Sequence, residues 1–286
     1  MSAISKKRNM LIGCLFILPS FSGILVFAII PFFASLYYSF TSGIGKIEFV
    51  GLGNFIELFK NPTFMLAVKN TLIFIGIGVP LLLILSLGLS LSMMNAPHVF
   101  ARWALLIPLI IPTASVIGGW NLILGVDGFI SRLAVHLGLE SINFLDEKFA
   151  MEVIILLYIW KNMGYLAVVF TSAISTIPKE YKEVYLLESK SEIRMIRMVI
   201  LPLIAPIAFF AIIISVMNSF KLFREVYVMY GSMPPKNIYM LQHFMNNNFF
   251  KLNYQRLATA AIILIGILSM LIWLILKLQR HYTRDL

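Results

Sequence analysis

Trp160, Lys161 and Asn162 stand side by side inside a long apolar run, which brings a cation to or near membrane depth. An ammonium in such a run faces a bundle interior or a water-filled cavity, because hydrocarbon cannot solvate it. Snorkelling of Lys161 to an interface is the alternative, and the residue types leave the two readings even. A second candidate is Glu183–Pro202, EVYLLESKSEIRMIRMVILP. It is a charged stretch rich in helix formers that runs straight into a hydrophobic segment beginning at Leu201-Pro202. Tyr181, Val184, Tyr185 and Glu188 recur at i, i+3, i+4 and i+7, so a helix would carry the first three on one apolar side with Glu188 at its edge. Such a stripe either lies on lipid or docks into a protein groove, and Lys190, Arg194 and Arg197 could equally face lipid headgroups.

Catalytic constellations are missing from the sequence. No GxxxxGK[ST] occurs, since Gly45-Lys46 is followed by Ile47 and lacks an upstream glycine at the required spacing. The chain therefore has no phosphate cradle of that kind. His98, His136, His243 and His281 are expected in loops or the tail, without metal-ligand spacing. HExxH, GxSxG and paired intramembrane aspartates are absent, and among the spans only Glu152, at the start of one, supplies a carboxylate. A proton-relay carrier or an intramembrane protease would lack its working groups.

The elements that position these residues are membrane helices. Mean hydropathy of +0.91 and a charged fraction of 13% put the chain outside the soluble globular class. Six windows are long and apolar enough to cross a hydrocarbon core, at about 10–38, 70–94, 103–125, 149–175, 199–220 and 257–277. The fold expected is an all-α membrane bundle. A net charge of +10 could suggest nucleic acid, but the cations cluster by topology. Lys6, Lys7, Arg8, Arg102, Lys179, Lys182, Lys190, Arg194, Arg197, Lys277, Arg280 and Arg284 crowd the short loops and termini of one side. That denser side should be cytoplasmic, with both termini inside. Cys14 is expected to be a small apolar side chain in the first span, which is too long for a signal-peptide core.

Between the spans, Phe55, Ile56, Leu58 and Phe59 alternate with Glu57 and Lys60, as in a short amphipathic surface helix ended by Asn61-Pro62. Ser86, Gly88, Ser90 and Ser92 form a small-residue face for helix packing, within this subunit three times in four rather than against a second one. Pro108 and Pro112 should kink the third span, Ser131–Gly138 suits a short helix, and Pro178 could open a helix reaching about Arg197. After the fifth span, residues 221–256 read as the largest outside loop, broken by Pro234-Pro235 and Asn246–Asn248.

Four stretches, in order, carry a resemblance to one family. Ser175–Pro206 looks like the EAA loop of binding-protein-dependent ABC importer permeases. Glu183 matches its glutamate and Ile200-Leu201-Pro202 its terminal hydrophobic-Leu-Pro. Val184 and Tyr185 replace the alanines, Glu188 stands where aspartate is common, and Ser189 replaces the glycine. Phe16–Phe40, Gly51–Thr71 and Asn218–Pro235 resemble the first span, the following stretch and the segment after span five of the larger maltose- and glycerol-phosphate-type carbohydrate permeases.

The resemblance implies a six-span type I ABC importer permease fold with a cytoplasmic coupling helix. The corresponding division is 1–65 for tail, first helix and surface loop, 66–279 for the transmembrane domain with its coupling loop at 178–202, and 280–286 for the tail. It implies a bacterial cytoplasmic membrane, a second similar permease, two ATPase subunits and an extracytoplasmic solute-binding protein. ATP and Mg would be used by those partners, with no cofactor in this chain. ATPase coupling falls to Tyr181, Glu183, Val184, Tyr185, Glu188, Ser189, Leu201 and Pro202. The solute path is assigned to Trp120, Asn121, Trp160, Lys161, Asn162, Tyr165 and Asn218, whose aromatic faces and amides suit sugar rings and hydroxyls. Each of these could instead anchor an interface or bond another helix. The competing reading is a secondary transporter or channel, which would call for coupling-ion carboxylates or an inverted repeat, and the sequence has neither.

Overall fold

The computed structural model describes residues 3–43, 46–93, 99–178, 180–181, 185 and 191–283. Six helical stretches among them are long and apolar enough to cross a membrane: Ile12–Ser39, Pro62–Ser92, Thr113–His136, Ala150–Ser175, Glu192–Tyr230 and Tyr254–His281. Five follow the expected windows, whereas the third begins beyond Pro112 and shares only 113–125 with the window at 103–125. The chain is a multi-pass, all-α membrane protein.

The described residues form two compact units. The first comprises Met1–Pro62 and Met245–Gly266. Helix α1 (Ala3–Ile24) continues through a π turn, Leu25–Ile29, into α2 (Ile30–Ser39). The cause lies one residue further on. Pro31 has no N–H to give to the carbonyl four residues back, and its ring crowds that carbonyl. The helix widens instead, with the Ile30 N–H donating to the Leu25 carbonyl. Strands β1 (Thr41–Ser42) and β2 (Glu48–Phe49) pair antiparallel beyond α2. Asn54, on the short helix α3 (Gly53–Lys60), donates to the Ser39 and Thr41 carbonyls, both at 2.9 Å, and fastens that helix to the end of the span. Leu58 is its buried anchor, while Ile56 and Phe59 are exposed as an amphipathic surface helix requires.

The second unit comprises Thr63–Phe244 and Ile267–Leu286. Helix α4 (Pro62–Ser92) begins one residue after α3, well before the apolar window at 70. Helices α5 (Val99–Ile110) and α6 (Thr113–Leu124) are divided at Ile111-Pro112, which is the kink expected of span three. Helix α7 (Phe129–His136) follows within the expected short segment, then α8 (Ala150–Ser175). Helix α8 is the hub: Ile154, Leu157, Tyr158, Leu166, Phe170 and Ile174 are all buried, against Phe74 and Leu82 of α4 and Val116 of α6. Helix α5 comes so close to it that a Cβ on Gly164 would lie 1.8 Å from the Leu105 carbonyl oxygen. Ser86 and Ser90 of α4 are fully buried, and Thr171 donates to Ser90 at 3.0 Å, so that face packs inside this chain. Gly88 and Ser92 face outward.

Three expectations are corrected. The helix opened by Pro178 does not run unbroken to Arg197, because Ser191 is extended and caps a new helix, α9 (Glu192–Met195), through its Oγ and the Arg194 N–H. A second π turn, Ile196–Ile200, then leads into α10 (Leu201–Lys221), with the Leu201 N–H donating to the Ile196 carbonyl. Here Pro202 is responsible, as Pro31 is in the first span. The region after span five is also largely helical, with α11 (Phe223–Tyr230) and α12 (Leu241–Phe250), and Asn246–Asn248 lie within α12 rather than breaking it. Finally, His243 is not a loop side chain. It sits on α12 fully buried, with the Phe223 ring 4.8 Å away, and accepts from the Met240 N–H. Helix α13 (Tyr254–Thr283) closes the described chain.

Candidate functional site

The polar groups of α8, α10 and α11 converge on one cavity. Lys161, near the middle of α8, makes an ion pair with Glu225 on α11. The side chains are 19% and 4% exposed, so neither ion is left to bulk solvent and each depends on the other. Thr113, the first residue of α6, also lies within 3.4 Å of the same Glu225 oxygen, Oε1. The interior-facing reading of Lys161 therefore replaces the snorkelling one.

Beside the pair runs a chain of amides. Lys221 donates to Asn218 Oδ1 at 2.9 Å, Asn218 donates to Asn162 Oδ1 at 3.2 Å, and Asn162 donates to the Tyr158 carbonyl at 2.8 Å. The Tyr158 hydroxyl in turn donates to the Ser215 carbonyl at 2.7 Å, fixing α8 against α10. The helical register does the positioning. Residues 158, 161 and 162 lie three and four apart on α8, and 215 and 218 three apart on α10, so each set shares a face. Helix α10 ends at Lys221, and the turn at Leu222 brings Arg224 and Glu225 back over the same space.

The cavity is partly open, measures about 200 Å³ and is lined by Tyr158, Lys161, Asn162, Asn218, Lys221, Arg224 and Glu225, with Leu109 and Leu222 as its apolar walls. Glu225 Oε2 is buried and has no protein hydrogen-bond partner among the described residues. A buried carboxylate oxygen in that state calls for water or a solute donor. Amides, a carboxylate and cationic groups set around one space have the chemistry to hydrogen-bond a hydroxyl-rich solute and supply no nucleophile–base pair. Among the described residues no cluster of His, Cys, Asp and Glu could hold a metal ion.

Of the seven solute-path residues expected, Lys161, Asn162 and Asn218 meet at this cavity. Trp120 and Trp160 meet each other, edge to face with ring centroids 6.0 Å apart, outside its lining. Asn121 is exposed, and Tyr165 packs half-buried against the core. Glu225, Lys221, Arg224 and Tyr158 were not foreseen. The charged three stand in a segment that reads as a loop, and only the fold of α10 onto α11 brings them in.

In the coupling segment, Glu183, Val184, Glu188 and Ser189 lie outside the described residues. Tyr181 is helical and exposed, while Tyr185 packs against the core cluster. Leu201 and Pro202 open α10.

No protein-family model matches the chain. It is similar along almost its whole length to the probable ABC transporter permease protein YesP of Bacillus subtilis (strain 168), at 27% identity over 97% of this chain and 94% of that protein. The lactose transport system permease protein LacF of Rhizobium radiobacter is 26% identical over 75% of this chain and 74% of its own length. Among solved structures, a bacterial ABC transporter involved in import of the acidic polysaccharide alginate superposes with a TM-score of 0.80, at 21% identity and 96% coverage of both chains. The fold is thus that of an ABC importer permease, and the sequence relatives agree. In fold and along its sequence the chain is similar to the membrane-spanning permease subunits of ABC importers.

Proposed function

We propose that this subunit carries a sugar or oligosaccharide across the bacterial cytoplasmic membrane, and that the cavity at Lys161, Asn162, Asn218 and Glu225 lies on the solute's route. The observation that carries this reading is the buried polar cluster itself. A bundle this apolar has no structural need for an ion pair, three linked polar side chains and an unpartnered carboxylate oxygen around one aqueous space, and each costs stability unless a solute uses it. The lactose transport relative supports a sugar as the solute.

The partners proposed are a second permease, two ATPase subunits and an external binding protein. A solved relative of the same fold is described in complex with a periplasmic protein bound to an alginate pentasaccharide, which supports the last of these. Closure of the ATPases would pull on the Glu183–Ser191 segment, and Leu201-Pro202 would pass the movement into α10, the helix that bears Asn218. With both termini and the 178–202 segment in the cytoplasm, the cavity opens alternately to either side. ATP and loaded binding protein shift that equilibrium through their different affinities for the two states.

The test is uptake of labelled sugars by cells in which the gene for this chain is deleted or carries Asn218→Ala. Deletion should abolish uptake of the solute, and the variant should lower it about tenfold or more at equal membrane abundance. Unchanged uptake of every sugar in the deletion strain would contradict the reading.

A further inference from the structure

The charge around the cavity is unbalanced. Lys161 and Glu225 neutralise one another. Lys221 and Arg224 line the same space, are solvent-exposed, and have no acidic partner among the described residues. Lys221 commits one of its three donors to Asn218, and both groups are fully cationic at neutral pH. The space thus holds two uncompensated positive charges beside groups suited to hydroxyls.

Taking the solute to be a sugar, as proposed above, we infer that this importer selects an anionic one, a sugar bearing a carboxylate. A neutral sugar could meet the amides, but it would leave the Lys221 ammonium and the Arg224 guanidinium hydrated and unused. A uronic acid residue satisfies all of them. Its ring hydroxyls meet the spare N–H groups of Asn162 and Asn218, and its carboxylate lies against Arg224 and Lys221. Arg224 suits that role because its planar fork matches a carboxylate with two parallel hydrogen bonds. Lys161 takes no part in choosing the charge, since its own is consumed by Glu225. Two like charges held over one aqueous cavity also raise the local concentration of anions before any contact is made.

The experiment measures binding of trigalacturonate, and of the same trisaccharide with its carboxylates methyl-esterified, to the full chain in nanodiscs by calorimetry. The pair differs in charge and hardly in shape. The acid should bind at least about tenfold tighter, a gap that two partly exposed charge contacts can supply. Lys221→Gln and Arg224→Gln should each narrow the gap, and together bring it near one. Both residues are on the surface of the cavity, so the variants are expected to purify as monodisperse protein. An ester that binds as well as the acid, a gap that survives the double substitution, or failure of both ligands to bind would overturn the inference. Cellular uptake separates this from the broader reading. If deletion of the gene abolishes uptake of a neutral sugar, the import function stands and the acid preference falls.

Discussion

Lys161 on α8 and Glu225 on α11 are 64 residues apart in sequence and form an ion pair inside the bundle, with Thr113 of α6 against the same carboxylate oxygen. Three helices are thereby keyed to one another by charge at the wall of the cavity. Removing one partner strands the other in a medium that solvates it poorly. Lys161→Met should therefore destabilise the detergent-solubilised protein by about 3–5 kcal/mol, and pairing it with Glu225→Met should recover most of that. Thermal unfolding of the three variants checks both steps. The double variant should still fail in uptake, because the carboxylate that a solute hydroxyl would meet is gone.

Gly164 marks where α5 and α8 touch. Since a Cβ there would collide with the Leu105 backbone, which cannot swing aside as a side chain does, Gly164→Val should cost at least about 1–3 kcal/mol. Gly88 has open space around it, so Gly88→Ala should be close to neutral. Melting temperatures of the two variants test the contrast.

Burial among Phe223 and Tyr239 pushes the His243 imidazole down to about 4. The unfolded chain takes up a proton near the ordinary value of about 6.5, whereas the folded chain refuses it until near 4. The stability from neutral His243 is complete above about pH 6.5 and declines as pH falls toward about 4, by up to about 3 kcal/mol in total. His243→Gln should flatten that part of a melting-temperature profile taken between about pH 4 and about pH 7.5.

Ser191 caps α9 through the Arg194 N–H and sets where the helix leading into α10 begins. Ser191→Ala should cost about 0.5–2 kcal/mol. Hydrogen exchange should find the loss concentrated in α9 and the π turn after it, and leave α8 unchanged.

The spans were legible because a helix crossing hydrocarbon must be long, apolar and nearly uncharged, which a sequence window measures directly. The break at Ile111-Pro112 and the one-residue step at Asn61 were legible through their prolines. The two π turns were not, although their cause was in view. A donor missing at Pro31 or Pro202 is absorbed by widening the preceding turn, and nothing local dictates that choice over a kink. At the site, Lys161, Asn162 and Asn218 stood out as polar residues in apolar runs. Glu225 did not, since a carboxylate between two apparently solvent-facing segments looks ordinary until tertiary structure buries it. His243 misled for the same reason. Ser191 read as a helical residue because helix propensity is blind to a cap within a favourable stretch.

Residues 178–202 are proposed to transmit ATPase movement to the cavity helices, with Glu183 at the contact. The direct measurement is ATP-driven uptake by cells carrying Glu183→Lys, at membrane abundance matched to the unaltered chain. Loss of uptake with normal insertion is the predicted result; uptake at the unaltered rate would contradict it.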